Sequence, residues 1–299
     1  MGLPLLNINV MTTNIIRLLL LGILSCCIIP MRAQDLPQAF GLYNYKGKSV
    51  SYKKLLSDAK KADIILFGEF HNNAIAHWLQ LELTRDLYSH KPDQITLGAE
   101  MFEADNQLLM DEYLSGTISQ KSFEEEARLW DNYKTDYRPL VEFAKENRIH
   151  FVASNVPRRY ASIVYKKGLT ALNKLSETAK QYLPSLPIKA DLDVGCYRKM
   201  LEMSSGNELF PQAQMIKDAT MAHFILKNYQ PGNTFIHYNG AFHSDYREGI
   251  VWYLQGMRPE LRILVISTVE QPTISELDDE HQQKADYILC VSERVTKTY

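Results

Sequence analysis

The sequence predicts an α/β fold with a mostly parallel central sheet, helices on both faces of that sheet, and long helical excursions. Six short apolar runs are separated by segments with helical periodicity, and this alternation is typical of wound α/β proteins. The runs are continuously apolar, as strands are when both faces of a parallel sheet are covered. With 299 residues, of which 45% are hydrophobic and 23% charged, the chain has an ordinary globular composition.

The N-terminal segment differs from the rest of the chain. A basic residue precedes an apolar run from Leu18 to Ile29, which is shorter than the roughly 20 residues that a membrane-spanning helix needs. A basic flank, a short apolar core and small residues after it are typical of a secretory signal peptide. Two ways of processing this signal fit the sequence: cleavage after Ala33, or lipid attachment at Cys26. We therefore expect an exported protein of the periplasm or outer membrane, with residues 1–33 as the signal and residues 34–299 as one domain.

The predicted strands are short runs rich in Ile, Val and Leu. They are Asp63 to Phe67, Gln94 to Gly98, His150 to Ala153, Thr234 to Tyr238, Leu261 to Ser267 and Tyr287 to Val291. Apolar residues that recur every three or four positions predict four helices. These are Ala74 to Tyr88, Asp136 to Asn147, Leu209 to Tyr229 and Tyr246 to Gln255. The apolar face of the first helix includes Trp78, so we expect a buried side chain and a cost of about 3–5 kcal/mol for Trp78→Ala.

Two connections between strands are unusually long, Met101 to Arg148 and Val156 to Gln230. Each holds several helices, which either cover the faces of the sheet or form a lid over its carboxyl edge. The cysteines that remain after the signal are Cys196 and Cys290, and they either pair or stay as buried thiols.

Composition and motifs exclude several classes of protein. The 33 basic and 35 acidic residues give a net charge of -2, so no basic excess indicates nucleic acid as a partner. The sequence has no glycine-rich dinucleotide motif after a strand, no phosphate-binding loop and no Gly-x-Ser-x-Gly nucleophile motif.

Polar residues follow four consecutive predicted strands. In chain order they are Glu69 and His71, then Glu100 and Glu103, then Asn155 and Arg158, and finally Asn239 and His243. Ligands of open parallel sheets bind outside the carboxyl ends of the strands. We therefore expect these side chains to meet in one site.

Two copies of Gly-x-x-His sharpen this expectation, because His71 and His243 each follow an aromatic residue and a strand that ends at glycine. Two imidazoles with a carboxylate from Glu100 form a set that suits zinc, manganese or ferrous iron. Glu69 or Glu100 would be the third ligand or the base that activates a metal-bound water. The alternative is that each histidine is an ordinary loop residue and that Glu100 caps the following helix.

Further residues have both a functional and a structural interpretation. Gln214 and Asp218 lie one helical turn apart and either face the site or form an exposed polar stripe. Tyr133 and Tyr137, near Trp130, either pack in the core or offer a flat apolar surface with a phenolate for iron. Arg158 opposes the dipole of the helix it begins, so it is either solvated or paired with a carboxylate of a ligand.

Several segments together resemble the ChaN-like family of iron-regulated, haem-binding lipoproteins in the Tiki superfamily. The matching segments are ILFGEFH (Ile65 to His71), LGAEMFEADNQ (Leu97 to Gln107), DEYLSG (Asp111 to Gly116), LW (Leu129 and Trp130), YRPLVEFAKENRIHFVASNVPR (Tyr137 to Arg158), QMIKDATMA (Gln214 to Ala222) and NGAFH (Asn239 to His243). The resemblance implies an α/β domain on the bacterial envelope that binds haem in uptake or storage of haem or iron.

The resemblance also implies a tyrosine as the axial ligand, across a homodimer that holds paired haems. Tyr133, Tyr137, Tyr160 and Tyr246 compete for that role. Asn155, Asn239, Gln214, Asp218 and Arg158 are the remaining candidates for contacts with the cofactor. The paired Gly-x-x-His motif is similar to the metalloprotease branch of the same superfamily and to erythromycin esterase, which implies a metal-dependent hydrolase as the alternative function.

Overall fold

A seven-stranded sheet forms the centre of the molecule, which a computed structural model describes for residues 38–299. The strands are β1 (Phe40–Asn44), β2 (Ile64–Glu69), β3 (Ile95–Glu103), β4 (Phe151–Asn155), β5 (Thr234–Gly240), β6 (Ile263–Gln271) and β7 (Tyr287–Ser292). Their order across the sheet is β1-β7-β6-β2-β5-β3-β4. Every neighbouring pair is parallel except β1 with β7. The predicted fold class is confirmed.

All six predicted strands are present, and each continues further at its carboxyl end than the apolar run indicated. β2 extends to Glu69 and β3 to Glu103, so polar residues of the predicted site belong to the strands themselves. The edge strand β1 was not predicted. It is short and only partly buried, so it lacks the continuous apolar run that marks the other strands.

Ten helices surround the sheet in the described part of the chain. They are α1 (Tyr52–Ala59), α2 (Ala74–His90), α3 (Gln107–Leu114), α4 (Gln120–Glu126), α5 (Arg138–Asn147), α6 (Arg158–Lys167), α7 (Glu177–Lys180), α8 (Gly195–Met203), α9 (Leu209–Asn228) and α10 (Ile250–Met257). A π-helical turn at Tyr133–Tyr137 precedes α5. The last predicted helix begins at Ile250 instead of Tyr246, because Tyr246 has a φ of 57°, which a right-handed helix does not allow.

Side chains of each central strand alternate between two cores on opposite faces of the sheet. In β2, Ile65 and Phe67 pack with α2 and α5, whereas Ile64 and Leu66 pack with α9 and α10. This alternation explains the continuous apolar runs, since both sides of each strand are buried.

The two long connections cover these faces. Helices α3, α4 and α5 of the first connection contribute Met110, Phe123 and Val141 to one core. Helices α6 and α9 of the second connection pack against each other through Val164 and Ile216. Between them, the connections also supply walls to a cleft at the carboxyl edge of the sheet.

The prediction that Trp78 is buried is wrong. Its side chain is 47% exposed and rests on Phe40 of the unpredicted strand β1, with ring centroids 5.6 Å apart. Its spacing in the helix predicted that Trp78 points into the core. The neighbouring strand β1 lies at the edge of the sheet, so part of the ring remains exposed to solvent. Cys196 and Cys290 are separate buried thiols.

The expected signal segment, with Cys26 and Ala33, lies outside the described residues. Within residues 38–299, no helix combines the length and the apolar character needed to cross a membrane.

Candidate functional site

A cleft of 450 Å³ lies at the carboxyl edge of the sheet. Its volume is within the range of about 300–1,000 Å³ typical of small-molecule sites. The lining residues come from the ends of β2 to β5 and from the two long connections. They are Glu69, Phe70, His71, Glu100, Glu103, Trp130, Asn155, Val156, Arg158, Ala161, Gln214, Lys217, Gly240, Ala241, Phe242 and His243. The sequence-based expectation of one shared site thus matches the placement of His71, Glu100 and His243.

The two Gly-x-x-His segments pack against each other through their glycines. A Cβ on Gly68 would lie 2.8 Å from Cα of Ala241, in the segment after β5. A Cβ on Gly240 would lie 3.0 Å from Nε2 of His71, in the segment after β2. Each glycine therefore makes room for the other segment, which brings the two histidines to the same cleft.

His71 is supported from behind by a buried carboxylate. Its Nδ1 lies 3.0 Å from Oε1 of Glu69, which also accepts a hydrogen bond of 2.8 Å from the Tyr137 hydroxyl. Gln80 donates to the other oxygen of Glu69 at 2.6 Å. Because Glu69 accepts from Nδ1–H, the lone pair of a neutral His71 is placed on Nε2. That nitrogen has no hydrogen-bond partner among residues 38–299, and 33% of the side chain is exposed.

The backbone of the His71 loop is held as well. The His71 carbonyl accepts hydrogen bonds from Asn132 at 2.7 Å and from His77 at 3.1 Å. Asn132 also donates to Asp136, which accepts from the Thr298 hydroxyl at 2.7 Å. The Trp130 ring meets the His71 ring edge-on, at 4.8 Å between centroids. These contacts hold the His71 loop in place at the wall of the cleft.

His243 has a different environment, because both of its ring nitrogens face carboxylates. Nδ1 lies 2.5 Å from Asp218, and Nε2 lies 3.1 Å from Oε1 of Glu100. Asp218 also accepts from the Tyr197 hydroxyl at 2.8 Å, and Glu100 accepts from the backbone N–H of Gly240 at 2.8 Å. The three charged groups are buried.

Mutual charge keeps His243 and Glu100 ionised, whereas burial raises the pKa of Asp218. Burial by itself lowers the pKa of His243, but the charges of Glu100 and Asp218 raise that pKa to about 10. Burial likewise opposes ionisation of Glu100, yet the charges of His243 and His71 bring its pKa well below the usual value. His243 is therefore an imidazolium between two carboxylates.

The pKa of His71 is also raised. Burial lowers it, but the hydrogen bond to Glu69 and the charges of Glu100 and Glu69 outweigh burial. The exposed face of the ring distinguishes His71 from His243.

The backbone after His243 is strained. Tyr246 and Arg247 have φ values of 57° and 59°, a region that residues other than glycine rarely adopt. Gly249 follows with a φ of 53°, and a Cβ there would lie 2.3 Å from the carbonyl oxygen of His243. The chain thus returns past the His243 carbonyl at Gly249, where a Cβ would also lie 3.3 Å from Oδ2 of Asp218.

The predicted metal centre of His71, Glu100 and His243 is not preassembled. Within the described residues, the group of three that brings its ligand atoms within 4.8 Å of one another is Asp278, Glu280 and His281, on the surface. In the cleft, Glu100 and Asp218 already occupy both nitrogens of His243. Of the two cleft histidines, only His71 has a ring nitrogen that no carboxylate occupies, so the donor set does not fit a divalent metal as the side chains stand.

Comparisons with known proteins give the family. The family described as "Haem-binding uptake, Tiki superfamily, ChaN" matches residues 55–254, about two thirds of the chain. This chain belongs to the ChaN family. The resemblance identified in the sequence is confirmed, whereas a search of curated proteins finds no match.

Three solved structures share the fold. A structure of ChaN from Campylobacter jejuni with cofacial haem is 18% identical, with a TM-score of 0.64, and the alignment covers 84% of this chain and 96% of that one. An erythromycin esterase, EreC, is 11% identical with a TM-score of 0.50 over 85% of this chain and 97% of its own. A protein from Bacillus cereus is 12% identical with the same TM-score, over 85% and 95% of the two chains. At these identities the likeness concerns the fold.

Haem fits the cleft of this ChaN-family chain on three observations. Nε2 of His71 faces the cleft as a donor for iron. Phe70 and Phe242, each 40% exposed, give apolar surface beside the two histidines, together with the ring of Trp130. Arg158 lines the cleft and has no ion pair within residues 38–299, so a carboxylate of the cofactor has a partner.

Other predicted site residues lie behind the cleft. Tyr133 packs between Phe102 and Phe123, and the hydroxyl of Tyr137 is used by Glu69. Neither tyrosine lines the cleft, and burial raises the pKa of both hydroxyls far above the usual value. Asn239 is fully buried and bonds to its own turn. These three side chains support the site from within the core.

Helix α9 turns Gln214 and Asp218 inward, so they are not an exposed stripe. Gln214 lines the cleft with its side-chain amide beside the ring of His243, and Asp218 holds that histidine. Sequence reasoning missed Lys217, which lines the cleft from the same turn, and Tyr197, which bonds to Asp218. Lys217 lies three residues after Gln214, a spacing that predicts the same face of the helix. Nothing in the sequence indicated Tyr197.

Proposed function

We propose that this ChaN-family protein binds haem in the cleft and serves haem or iron uptake at the bacterial cell envelope. The observation that carries the proposal is the cleft-facing Nε2 of His71, with Glu69 behind it on Nδ1. Nε2 of His71 would hold haem through its iron, which is the redox-active and ligand-binding centre that haem would supply here. Glu69, held by Gln80 and Tyr137, orients His71 for that bond and increases the basicity of its free nitrogen.

The remaining lining residues support the same ligand. Phe70, Phe242 and Trp130 pack against a flat apolar ring system, and Arg158 pairs with a propionate. The uptake role of the family agrees with the export expected from residues 1–33. Under this proposal the mature protein stays on the envelope, as a lipoprotein if Cys26 is modified and as a soluble protein if cleavage follows Ala33.

The proposal includes a homodimer with paired haems, which follows from membership of the family. Of the four candidate tyrosines, Tyr133, Tyr137 and Tyr160 are buried and Tyr246 is exposed. A tyrosine ligand donated to the cleft of a second copy would therefore come from Tyr246.

The test is a haem titration of residues 34–299, followed by the Soret band. We expect saturable binding, with His71→Ala weakening it at least about tenfold or changing the spectrum. The control is His90→Ala, because His90 is exposed at the end of α2, outside the cleft. Lack of saturable haem binding by the wild-type protein would contradict the proposal. An unchanged spectrum and affinity in His71→Ala would remove His71 as ligand and direct the search to Tyr246.

The paired His71 and Glu69 favour a second candidate, a hydrolase. An imidazole with a free Nε2 and a carboxylate on Nδ1 is a competent general base for water. In this scheme His71 takes the proton of the attacking water and Arg158 holds an anionic substrate group. The metal-dependent form expected from the sequence would require His243 to exchange a carboxylate partner for the metal.

An ester and peptide hydrolysis screen separates the two candidates, run with and without added zinc, manganese or ferrous iron. Turnover lost in His71→Ala but independent of metal supports base catalysis by His71. Turnover that requires metal and is lost in both His71→Ala and His243→Ala supports the metal-dependent form. Absence of turnover with all substrates contradicts both forms.

A further inference from the structure

The loop that carries His71, between β2 and α2, is covered by a segment from a distant part of the chain. Strand β7 ends at the same edge of the sheet as β2, and the chain continues from there to residues 295–299, which we call the strap. The N–H of Thr298 in the strap donates to the carbonyl of Asn72 at 3.1 Å. The strap therefore ties the backbone beside His71 to the last strand of the sheet.

The Thr298 side chain reaches the same loop through two buried residues. Its hydroxyl donates to Oδ2 of Asp136 at 2.7 Å, and the amide of Asn132 donates to the same oxygen at 2.7 Å. That amide also donates to the carbonyl of His71 at 2.7 Å. Asp136 and Asn132 are only 3% and 4% exposed, so solvent does not compete strongly for these groups. A continuous path of hydrogen bonds thus joins Thr298 to His71.

Asp136 depends on the hydrogen bond from Thr298. A buried carboxylate is costly unless hydrogen bonds or opposite charge replace the water that it loses. In the described part of the chain, the side chains that donate hydrogen bonds to Asp136 are those of Asn132 and Thr298. Nε2 of His77 lies further away, at 3.6 Å, and faces the His71 carbonyl at 3.1 Å. Without Thr298, Asp136 has to turn towards another donor, and the Asn132 amide that holds His71 turns with it.

The strap is also attached where the loop enters α2. Lys297 forms an antiparallel bridge with Asn73 and an ion pair with Glu270 of β6. Glu270 in turn accepts a hydrogen bond of 2.6 Å from the amide of Asn73. Asn73 is fully buried and caps α2, because its Oδ1 accepts from the N–H of Ala76 at 3.0 Å. The strap thus holds the loop at two points, and it acts on the backbone from which the His71 ring projects.

We propose that Thr298 is a positioning residue for His71, which acts through Asp136 and Asn132 and keeps the His71 ring directed into the cleft. The proposal rests on the proposed function insofar as His71 is the residue that holds haem. It adds a determinant of affinity outside the cleft, because no residue of the strap lines it. Glu69 aligns the ring through Nδ1, whereas the strap aligns the backbone, and a ligand residue needs both supports to keep its geometry.

The experiment compares three variants of residues 34–299 in a titration with ferric haem, followed by the Soret band. Thr298→Val removes the hydroxyl and keeps the shape of the side chain, whereas Thr298→Ser keeps the hydroxyl. Thr296→Val is the matched control, because Thr296 is exposed and its side chain forms no hydrogen bond in the described part of the chain. We expect Thr298→Val to bind haem about tenfold more weakly, with an altered Soret band. Thr298→Ser and Thr296→Val should behave as the wild-type protein does.

Amide hydrogen exchange of the ligand-free protein provides a readout that does not require haem. Thr298→Val should accelerate exchange of residues 70–77 about tenfold and leave β2 and β5 unchanged. If the wild-type protein binds no haem but the loop responds in this way, the proposed function fails and the positioning of His71 stands. Unchanged exchange in the loop, or equal acceleration throughout the chain, would overturn the proposal. Faster loop exchange with unchanged haem affinity and Soret band would also overturn it, since Thr298 would then have a structural role only.

Discussion

The two Gly-x-x-His segments start from the same local pattern and end in opposite environments. His71 has one ring nitrogen on Glu69 and the other open to the cleft, whereas His243 has both nitrogens on carboxylates and is almost fully buried. The first is therefore available to a ligand, and the second is a fixed positive charge inside the wall. An identical motif thus acquires its role from the side chains that other elements bring to it.

The largest expected difference between the two segments concerns stability. His243→Ala leaves Asp218 and Glu100 buried without their shared counter-charge, which should lower the free energy of unfolding by about 3–5 kcal/mol. His71→Ala should cost about 1 kcal/mol, because the ring is partly exposed and only one of its nitrogens is bonded. Urea denaturation followed by circular dichroism measures both. Similar costs for the two variants would show that the environments are not as different as described.

The glycines provide a sharper test of how the segments fit together. Gly68→Ala places a methyl group against backbone and should cost about 1–3 kcal/mol. Gly240→Ala meets the His71 ring instead, which can turn into the cleft, so its cost should be smaller while haem binding weakens. Thermal unfolding and haem titration of both variants separate the effects. Gly232→Ala is not a suitable control, because its φ of 91° adds strain, whereas Gly256→Ala on α10 faces open space.

The charge of His243 predicts a pH dependence. Its pKa is about 10 in the folded protein, against an ordinary value of 6.5. The folded state therefore holds this proton more tightly, and the resulting stabilisation is complete below pH 6.5 and is lost as the pH rises towards 10. One proton limits the slope to about 1.4 kcal/mol per pH unit. Urea denaturation between pH 6.5 and 10 should show a falling free energy of unfolding in the wild-type protein and a weaker fall in His243→Gln. Parallel curves for the two proteins would contradict the prediction.

The smallest effect is expected outside both segments, at Trp78. Because nearly half of the side chain is exposed, Trp78→Ala should cost about 1 kcal/mol or less instead of the value for a buried tryptophan. Haem affinity should stay unchanged, since the ring packs on Phe40 at the sheet edge. A loss of several kcal/mol in urea denaturation would restore the original prediction of a buried side chain.

Much of the fold could be predicted because its signals are local. The apolar runs gave the positions of β2 to β7, and helical spacing gave α2, α5 and α9. The predictions failed at three places: the edge strand β1, the exposed ring of Trp78, and the start of α10, which follows two residues with positive φ. Edge position and backbone strain have no periodicity that the sequence displays.

By itself, the sequence determined the family, the sheet and the meeting of His71, Glu100 and His243 at one edge, because parallel strands that end in polar residues direct them to the same side. Only the tertiary structure decided which histidine remains free. That choice depends on Tyr137, Asp218 and Tyr197, which reach the site from distant parts of the chain and set the charge and hydrogen bonds of each imidazole. Short-range patterns determine where a residue lies, but its ionisation depends on the buried groups that the fold places around it.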